Sequence, residues 1–375
     1  MPGFQPTILP LPTPIAPYNT EIGALFSTVQ EVRVDTEGQL VRRLARHIPH
    51  QLDQHGLSGV ELGIGDDAAV VSPHPGSHLV VTCDSFLESV HFLPDVHPPE
   101  SIGYKSLARA TSDIAAMGAR PRWFVLTLAF PRQRTNSWLD RLSQGMGKAA
   151  RALGLTLIGG DMTKSAYISL SITVLGEIAP GKAITRSGAH HGDTIYVSSK
   201  LGEAQLGLEW IRAGLSIPRR IPTILRQHLY PQIPLELGAW LASHQIPSAM
   251  MDLSDGLSTD LPRLCEASGV GARLDVNQLP CVAIPCHLPR PLRSARLDPL
   301  AMALDGGDDY ALLFTVPRRK VAALRRAPAF RHLACIGEIT RERKIVLVDA
   351  SGKENPLASR GWDPFRSRGE TWPRS

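Results

Sequence analysis

Acidic residues recur beside glycine or other small residues at six places: GIGDDAAVV (63–71), TCDS (82–85), SD (112–113), IGGD (158–161), MDLSDG (251–256) and LDGGDDY (304–310). Each segment alone has an ordinary structural reading. Asp66 and Asp67 suit a tight turn, Asp113 a polar spot on a helix, and Asp255 before Gly256 the N-cap of a following helix. Together they point to chemistry, because two gathered carboxylates at 4 Å repel by roughly 1 kcal/mol in water and about 4 at an effective dielectric of 20. Such a cluster requires cations. Oxygen ligands without matching His or Cys suit Mg2+ or a similar hard ion, which keeps waters and shares its sphere with substrate phosphates. The neighbouring glycines let backbone N–H groups and phosphates approach closely.

Other catalytic signatures are absent. The chain has no G-x-x-x-x-G-K-[ST] phosphate loop, no G-x-G-x-x-G between strand and helix, and no kinase catalytic loop, which excludes P-loop and protein-kinase machinery at motif level. Cys281 and Cys286 match no zinc-site spacing. The acids must be positioned by alternating elements. Strand patterns fall at 79–83, 123–130, 155–158 and 168–175, with helical stretches at 100–118 and 136–154 between them. Leu40, Leu44 and Ile48 mark an amphipathic helix within 38–54, where His47, His50 and His55 read as solvated. After the turn-rich APGKAITRSGAHHGD, a second series carries strands at 194–198, 249–253, 272–276, 310–316, 334–338 and 344–348, with a helix at 256–268. This alternation predicts α/β or α+β layering with a boundary near 180–192. No repeat of 20–50 residues is visible.

With 375 residues, 43% hydrophobic and 20% charged, the chain reads as folded and large enough for two domains. A net charge of +5 raises the question of nucleic acid, yet 32 of the 40 basic residues are Arg and no block of like charge resembles a binding tail. Nine Lys or Arg against two Glu between Pro317 and Lys344 place much of the excess on one surface of the second domain. No nucleic-acid partner is expected. The longest apolar run, 123–130, is far below the roughly 20 residues that cross a bilayer, so no membrane partner is expected. The first residues, MPGFQPTILPLPTPIAPYN, lack a basic n-region and an unbroken apolar core, and read as a Pro-rich extension. Five cysteines, odd in number and mostly isolated, predict a reducing cytoplasmic setting.

The ordered series GIGDDAAVV, TCDSFLESVHF, IGYKSLARATSDIAAMGARPRW, LIGGDMTKSAYISLSITVLGE, ITRSGAHHGDTIYV, AMMDLSDGLSTDLPRLCEASGVGARLD, LDGGDDYALLFTVP and GWDPF resembles the thiamine-monophosphate kinase family. That family belongs to the superfamily of aminoimidazole ribonucleotide synthetase. The resemblance runs from about Gly38 to Phe365. It implies an α/β architecture in which an α+β N-terminal domain joins an α/β C-terminal domain. The corresponding division is a Pro-rich extension at 1–36, an N-terminal ATP/Mg-binding and dimerisation domain at 37–185, a C-terminal α/β domain at 186–350, and a segment at 351–375 carrying GWDPF. It further implies a homodimer paired through the N-terminal domains, and ATP- and Mg2+-dependent phosphorylation of thiamine monophosphate to thiamine diphosphate by direct in-line transfer. A phosphate monoester is largely ionised at pH 7, so this chemistry needs cations against anion repulsion more than a strong base.

Matched block by block, the resemblance makes Asp67, Thr82, Asp84 and Asp113 metal ligands, with Cys83 contributing through its carbonyl. It adds Asp161, Asp252 and Asp255 as metal ligands and Gly160, Asp161, Arg186 and Ser254 as ATP contacts. His91, Asp308 and Trp362 would hold the thiamine phosphate. Three departures stand out: CDS for the usual TDT, GGDDY for GGEDY, and DMTK for DTTR with Lys164 in place of an Arg fork. They imply altered affinity with the reaction unchanged. Two other readings remain at this stage: a superfamily enzyme acting on another small substrate, and a non-catalytic nucleotide-binding scaffold.

Overall fold

The computed structural model describes residues 36–50, 59–326 and 332–365. The Pro-rich extension as far as residue 35, the end of the helix expected over 38–54 with His55, and the tail from 366 lie outside them. Helix α1 (Glu37–Ala45) buries Leu40 and Leu44 and is shorter than its periodicity suggests. Its apolar stripe continues to Ile48, but Pro49 follows, and the residue before a proline is pushed out of helical geometry.

After a ribbon of β1 (Val60–Leu62) and β2 (Val70–Val71), the chain builds a four-stranded sheet from β3 (His78–Leu87), β4 (Arg120–Phe130), β5 (Thr156–Lys164) and β6 (Ser169–Ile178). The spatial order is β3-β6-β4-β5. The β4–β5 pair is parallel and the other two are antiparallel. Parallel strands need a crossover, and α3 (Ser137–Leu153) supplies it. Asn136 caps α3 by accepting the Trp138 N–H at 2.9 Å, and Gly154 in the left-handed conformation ends it. Alternation in β6 turns Leu170, Ile172 and Val174 inward under the helices.

Helix α2 (Pro99–Ala116) lies between β3 and β4 in the chain and is buried along most of its length. It crosses α3 at close range. A Cβ on Gly145 would come within 1.9 Å of the Glu100 carbonyl oxygen.

The second half contains β7 (Thr194–Val197), α4 (Glu203–Arg212), α5 (Thr223–Leu229), α6 (Leu235–Ser243), β8 (Ala249–Leu253), α7 (Leu257–Ser268) and β9 (Gly271–Asp275). It continues with α8 (Arg290–Ser294), α9 (Pro299–Asp305), β10 (Ala311–Val316), α10 (Arg318–Arg325), β11 (Ala334–Thr340), β12 (Ile345–Val348) and β13 (Glu354–Pro356). These strands form one sheet in the order β13-β12-β9-β11-β7-β10-β8. The change of sheet falls within 179–193, and the segment after 350 contributes a strand, β13, before it reaches Trp362.

Strand β8 ends the sheet, yet all five of its residues are buried, because α2 packs on it. One hydrophobic core runs from α3 through α2 to Leu237 and Leu241 of α6 and to Met250, Leu312 and Phe314 of the second sheet. Helix α2 is thus common to both halves.

A candidate phosphoryl-transfer site around one helix

Lys105, Arg109, Ser112 and Asp113 fall on one face of α2, spaced by four, three and one. Each reaches a partner on another element. Asp113 Oδ2 accepts the Thr82 hydroxyl of β3 at 2.6 Å, and Ser112 Oγ donates to Asp252 Oδ2 of β8 at 2.5 Å. Two carboxylates from different halves of the chain are thus brought to the same stretch of α2, each with a hydroxyl as its bonding partner. Burial pushes the Asp252 carboxyl up to about 6, and the charge of Asp113 adds to the rise. Burial likewise raises Asp113; the Thr82 bond opposes this and Asp84 reinforces it. The charge of Arg186 opposes the rise at both.

On the neighbouring turn, Arg109 Nε donates to Asp84 Oδ2 at 2.8 Å. Lys105, itself buried, donates to Asp308 Oδ2 at 2.7 Å, and the Tyr310 hydroxyl donates to Asp308 Oδ1 at 2.6 Å. Burial would raise Asp308, but Lys105 and Arg109 hold it well below the usual carboxylate range. Asp308 sits at φ 65, and its N–H donates to the Ser254 carbonyl at 2.8 Å, which locks the GGDDY loop onto the end of β8. His91 is close by. Its Nδ1 accepts the Leu87 N–H at 2.9 Å, and burial, then Arg109, lower the ring to about 4, so it is neutral at pH 7.

Asp255 does not cap α7; Gly256 takes the N-cap position. Instead the Asp255 carboxylate pairs with Arg263 Nη1 at 2.6 Å, and the same nitrogen donates to Asp260 at 2.8 Å. Burial pushes Asp260 up to about 7 although it accepts the Ser254 and Asp255 N–H groups. Trp362 is tied here through its backbone N–H to the Asp255 carbonyl at 2.8 Å, while its ring is 46% exposed.

Asp67, Gly160 and Asp161 lie elsewhere. Ser85, Ser171, Thr127 and Asp161 are cross-strand neighbours in one row, and Asp84, Ile172, Leu126 and Gly160 form the next row. Asp84 and Asp161 consequently stand on opposite edges, about 14 Å apart across three strand spacings, and on opposite faces. The Asp84 row faces the helices, whereas the Asp161 row and Cys83 face outward. A cavity of about 400 Å3 lined by Asp66, Asp67, Gly160 and Asp161 opens at that far edge. A Cβ at Gly160 would meet the Leu126 carbonyl oxygen at 1.9 Å, so β5 can run close to β4 there only with glycine.

Among the described residues, no three His, Cys, Asp or Glu side chains are grouped to hold a metal ion. The donor chemistry still fits Mg2+. It offers oxygen only, with two like-charged carboxylates, Asp252 buried and Asp113 half-buried, and Mg2+ is ordinarily held by one or two carboxylates plus water and phosphate. All five cysteines are free thiols, and no described helix is long and apolar enough to cross a membrane. Lys105, Arg109, Ser112 and Tyr310 were not among the residues expected from sequence. The signal for three of them was their common face with Asp113 on a helix that had been recognised.

Residues 65–178 match the family AIR synthase related protein, N-terminal domain, and residues 229–350 match its C-terminal domain. A thiamine-monophosphate kinase of Haemophilus influenzae is 38% identical over 286 residues, 76% of this chain and 84% of its own length. The crystal structure of thiamine-monophosphate kinase from Stenotrophomonas maltophilia superposes with a TM-score of 0.70 at 32% identity, over 84% of this chain and 96% of the other. A structure of AaThiL complexed with AMPPCP and TMP superposes with a TM-score of 0.66 at 26% identity, over 91% of this chain and all of the other. The chain belongs to the thiamine-monophosphate kinase family.

Proposed function

We propose that this protein transfers the γ-phosphoryl group of ATP to the phosphate of thiamine monophosphate, giving thiamine diphosphate and ADP. The observation that carries this reading is the meeting of Asp113 and Asp252 at one stretch of α2, between the two halves, with Arg109 and Lys105 on the preceding turns of the same helix. Like charges with only hydroxyl partners, one buried and one half-buried, are costly unless a cation joins them. A site of that kind suits the junction of two polyphosphate anions. The relative named as complexed with AMPPCP and TMP supports the choice of both substrates.

Asp84, Asp113, Asp252 and Asp255, with Thr82 and the Cys83 carbonyl, would hold Mg2+, which supplies charge neutralisation to donor and acceptor phosphates. Arg186 and Ser254 would bind the nucleotide at the end of β8. His91, neutral and with Nδ1 occupied, would offer Nε2–H to the acceptor phosphate. Asp308 would meet thiamine with its charge offset by Lys105, and Trp362 would lie over the pyrimidine.

Asp67, Gly160 and Asp161 would act on the same phosphates through a homodimer. The outward face of the four-stranded sheet exposes Val81 at 59%, and β3 is an unpaired edge; both suit pairing with a second copy. A second copy would bring its own Asp161 edge toward the α2 cluster. The free thiols accord with a cytoplasmic enzyme. The test is direct: purified protein with ATP, Mg2+ and thiamine monophosphate should yield thiamine diphosphate. Absence of product over a blank, with ATP still bound, overturns the proposal.

A further inference from the structure

We infer that Arg109 recognises the phosphate of the acceptor and so sets the preference for a phosphorylated substrate; this deepens the function proposed above and rests on it. The guanidinium is fixed on two sides. Nε and Nη2 contact the two oxygens of Asp84 at 2.8 and 3.4 Å, and its carbon lies 5.7 Å from the centroid of the Phe86 ring. Nη1 has no hydrogen bond among the described residues, and the side chain keeps 16% of its surface open.

Phe86 is buried and also stacks on His91, with centroids 5.4 Å apart and planes 25° from parallel. One ring thus holds a neutral N–H donor and a permanent cation side by side. Lys105, one turn earlier on α2, has its charge committed to Asp308 at 2.7 Å. Arg109 is therefore the cation of this wall with N–H groups to spare.

A phosphate monoester presents about 1.5 to 2 negative charges and several acceptor oxygens, and a planar guanidinium can bind two of them together. The alcohol of an unphosphorylated analogue offers Arg109 neither. A purely structural Arg109 would instead serve only as counter-ion to Asp84, and the two roles separate by experiment.

Affinities for thiamine monophosphate and for thiamine are measured by calorimetry, in Mg2+ buffer and again with metal chelated. The full chain, Arg109→Gln, Asp84→Asn and the double variant are compared. The full chain should prefer the monophosphate, and Arg109→Gln should lower that preference about tenfold or more while thiamine affinity stays the same. With metal chelated, Asp84→Asn should keep the preference and the double variant should lack it.

An undiminished preference in Arg109→Gln, or its restoration in the double variant, overturns the inference and leaves Arg109 as a counter-ion. Failure of the full chain to bind thiamine monophosphate in either buffer overturns the substrate reading along with it. Should Arg109→Gln not fold, Arg109→Lys keeps the charge beside Asp84 without the fork, and an undiminished preference there equally overturns the assignment.

Discussion

Asp252 is buried and Asp113 half-buried, each bound by a hydroxyl, and the charge of Asp113 raises Asp252, whereas Asp161, three strands away, is exposed and its carboxylate bonds nothing among the described residues. Both kinds of acid were flagged by the same signature, a carboxylate beside small residues. Their circumstances differ in what has already been assembled. Around α2 each carboxylate has a partner: Arg109 for Asp84, Lys105 for Asp308, Arg263 for Asp255, hydroxyls for the central pair. At the far edge a cavity and a face stand open. The inner acids are partnered within one chain, and Asp161 is not partnered among the described residues.

The largest effects should come from removing one acid of each kind. Asp113→Asn should cut turnover about 100- to 1,000-fold, the scale of losing one preorganised electrostatic contact. Its thermal transition without ligand should be unchanged or higher, because one of two repelling charges is gone. Asp161→Asn should lose turnover on a similar scale with no shift in melting, since its side chain is exposed and unbonded. Full activity in Asp161→Asn would show that the outer region takes no part. If the site is shared between copies, one polypeptide giving Asp113 and its neighbour Asp161, co-expressing the two inactive variants should restore about a quarter of wild-type activity through mixed dimers. No recovery would confine each site to one chain.

Much of this division follows from what a linear pattern can and cannot carry. Strand β8 matches the expected 249–253, and α7 starts one residue after the expected 256, because the Ser254–Gly256 turn divides them and Gly269 ends the helix. The short helices α4, α5, α6, α8, α9 and α10 were not read; none exceeds 10 residues, too short for a stable 3.6-residue stripe to stand out. At the site, acids next to glycine announced themselves locally. Their partners did not. Lys105 meets Asp308 across 203 residues and Ser112 meets Asp252 across 140, so those contacts exist only once α2 lies between two sheets. The opposite placement of Asp84 and Asp161 likewise depends on strand order, which alternation leaves open.

Within the inner region the His97–His228 contact should lose stability in acid, against Asp252 and Asp260, whose raised carboxyls gain it as they take up protons. His97 and His228 are buried with their Nε2 atoms 3.3 Å apart, joining the segment before α2 to α5. Burial, then Lys105, lowers His97 to about 4, and burial, Lys105 and the opposing ring lower His228 well below its ordinary value. Asp308 opposes these shifts without cancelling them. Folded-state values below the unfolded one mean that the unfolded chain binds more protons between about pH 4 and 6.5. Stability is therefore present above that window and lost as pH falls through it. His97 alone should remove about 2 kcal/mol between pH 7 and 5. Urea titrations of the parent and of His97→Gln at the two pH values check this, since acidification should cost the parent about 2 kcal/mol more than the variant. A variant as acid-sensitive as the parent would remove the pair from the account.

Trp362 offers the smallest expected effect and tests where the two regions differ most finely, at the mouth of the inner one. The Gly361 N–H donates to Ser258 Oγ at 3.1 Å and the Trp362 N–H to the Asp255 carbonyl at 2.8 Å, so backbone contacts to the start of α7 deliver the ring. Because that delivery does not involve the indole and the ring is half exposed, Trp362→Ala should leave stability nearly unchanged. A stacking contact is worth roughly 0.5–1.5 kcal/mol, which predicts a rise of about three- to tenfold in the apparent KM for thiamine monophosphate. The KM for ATP should move less, and Trp362→Phe should keep most of the wild-type value. An equal rise for both substrates would instead mean that the loop acts through Asp255, whose carbonyl accepts the Trp362 N–H.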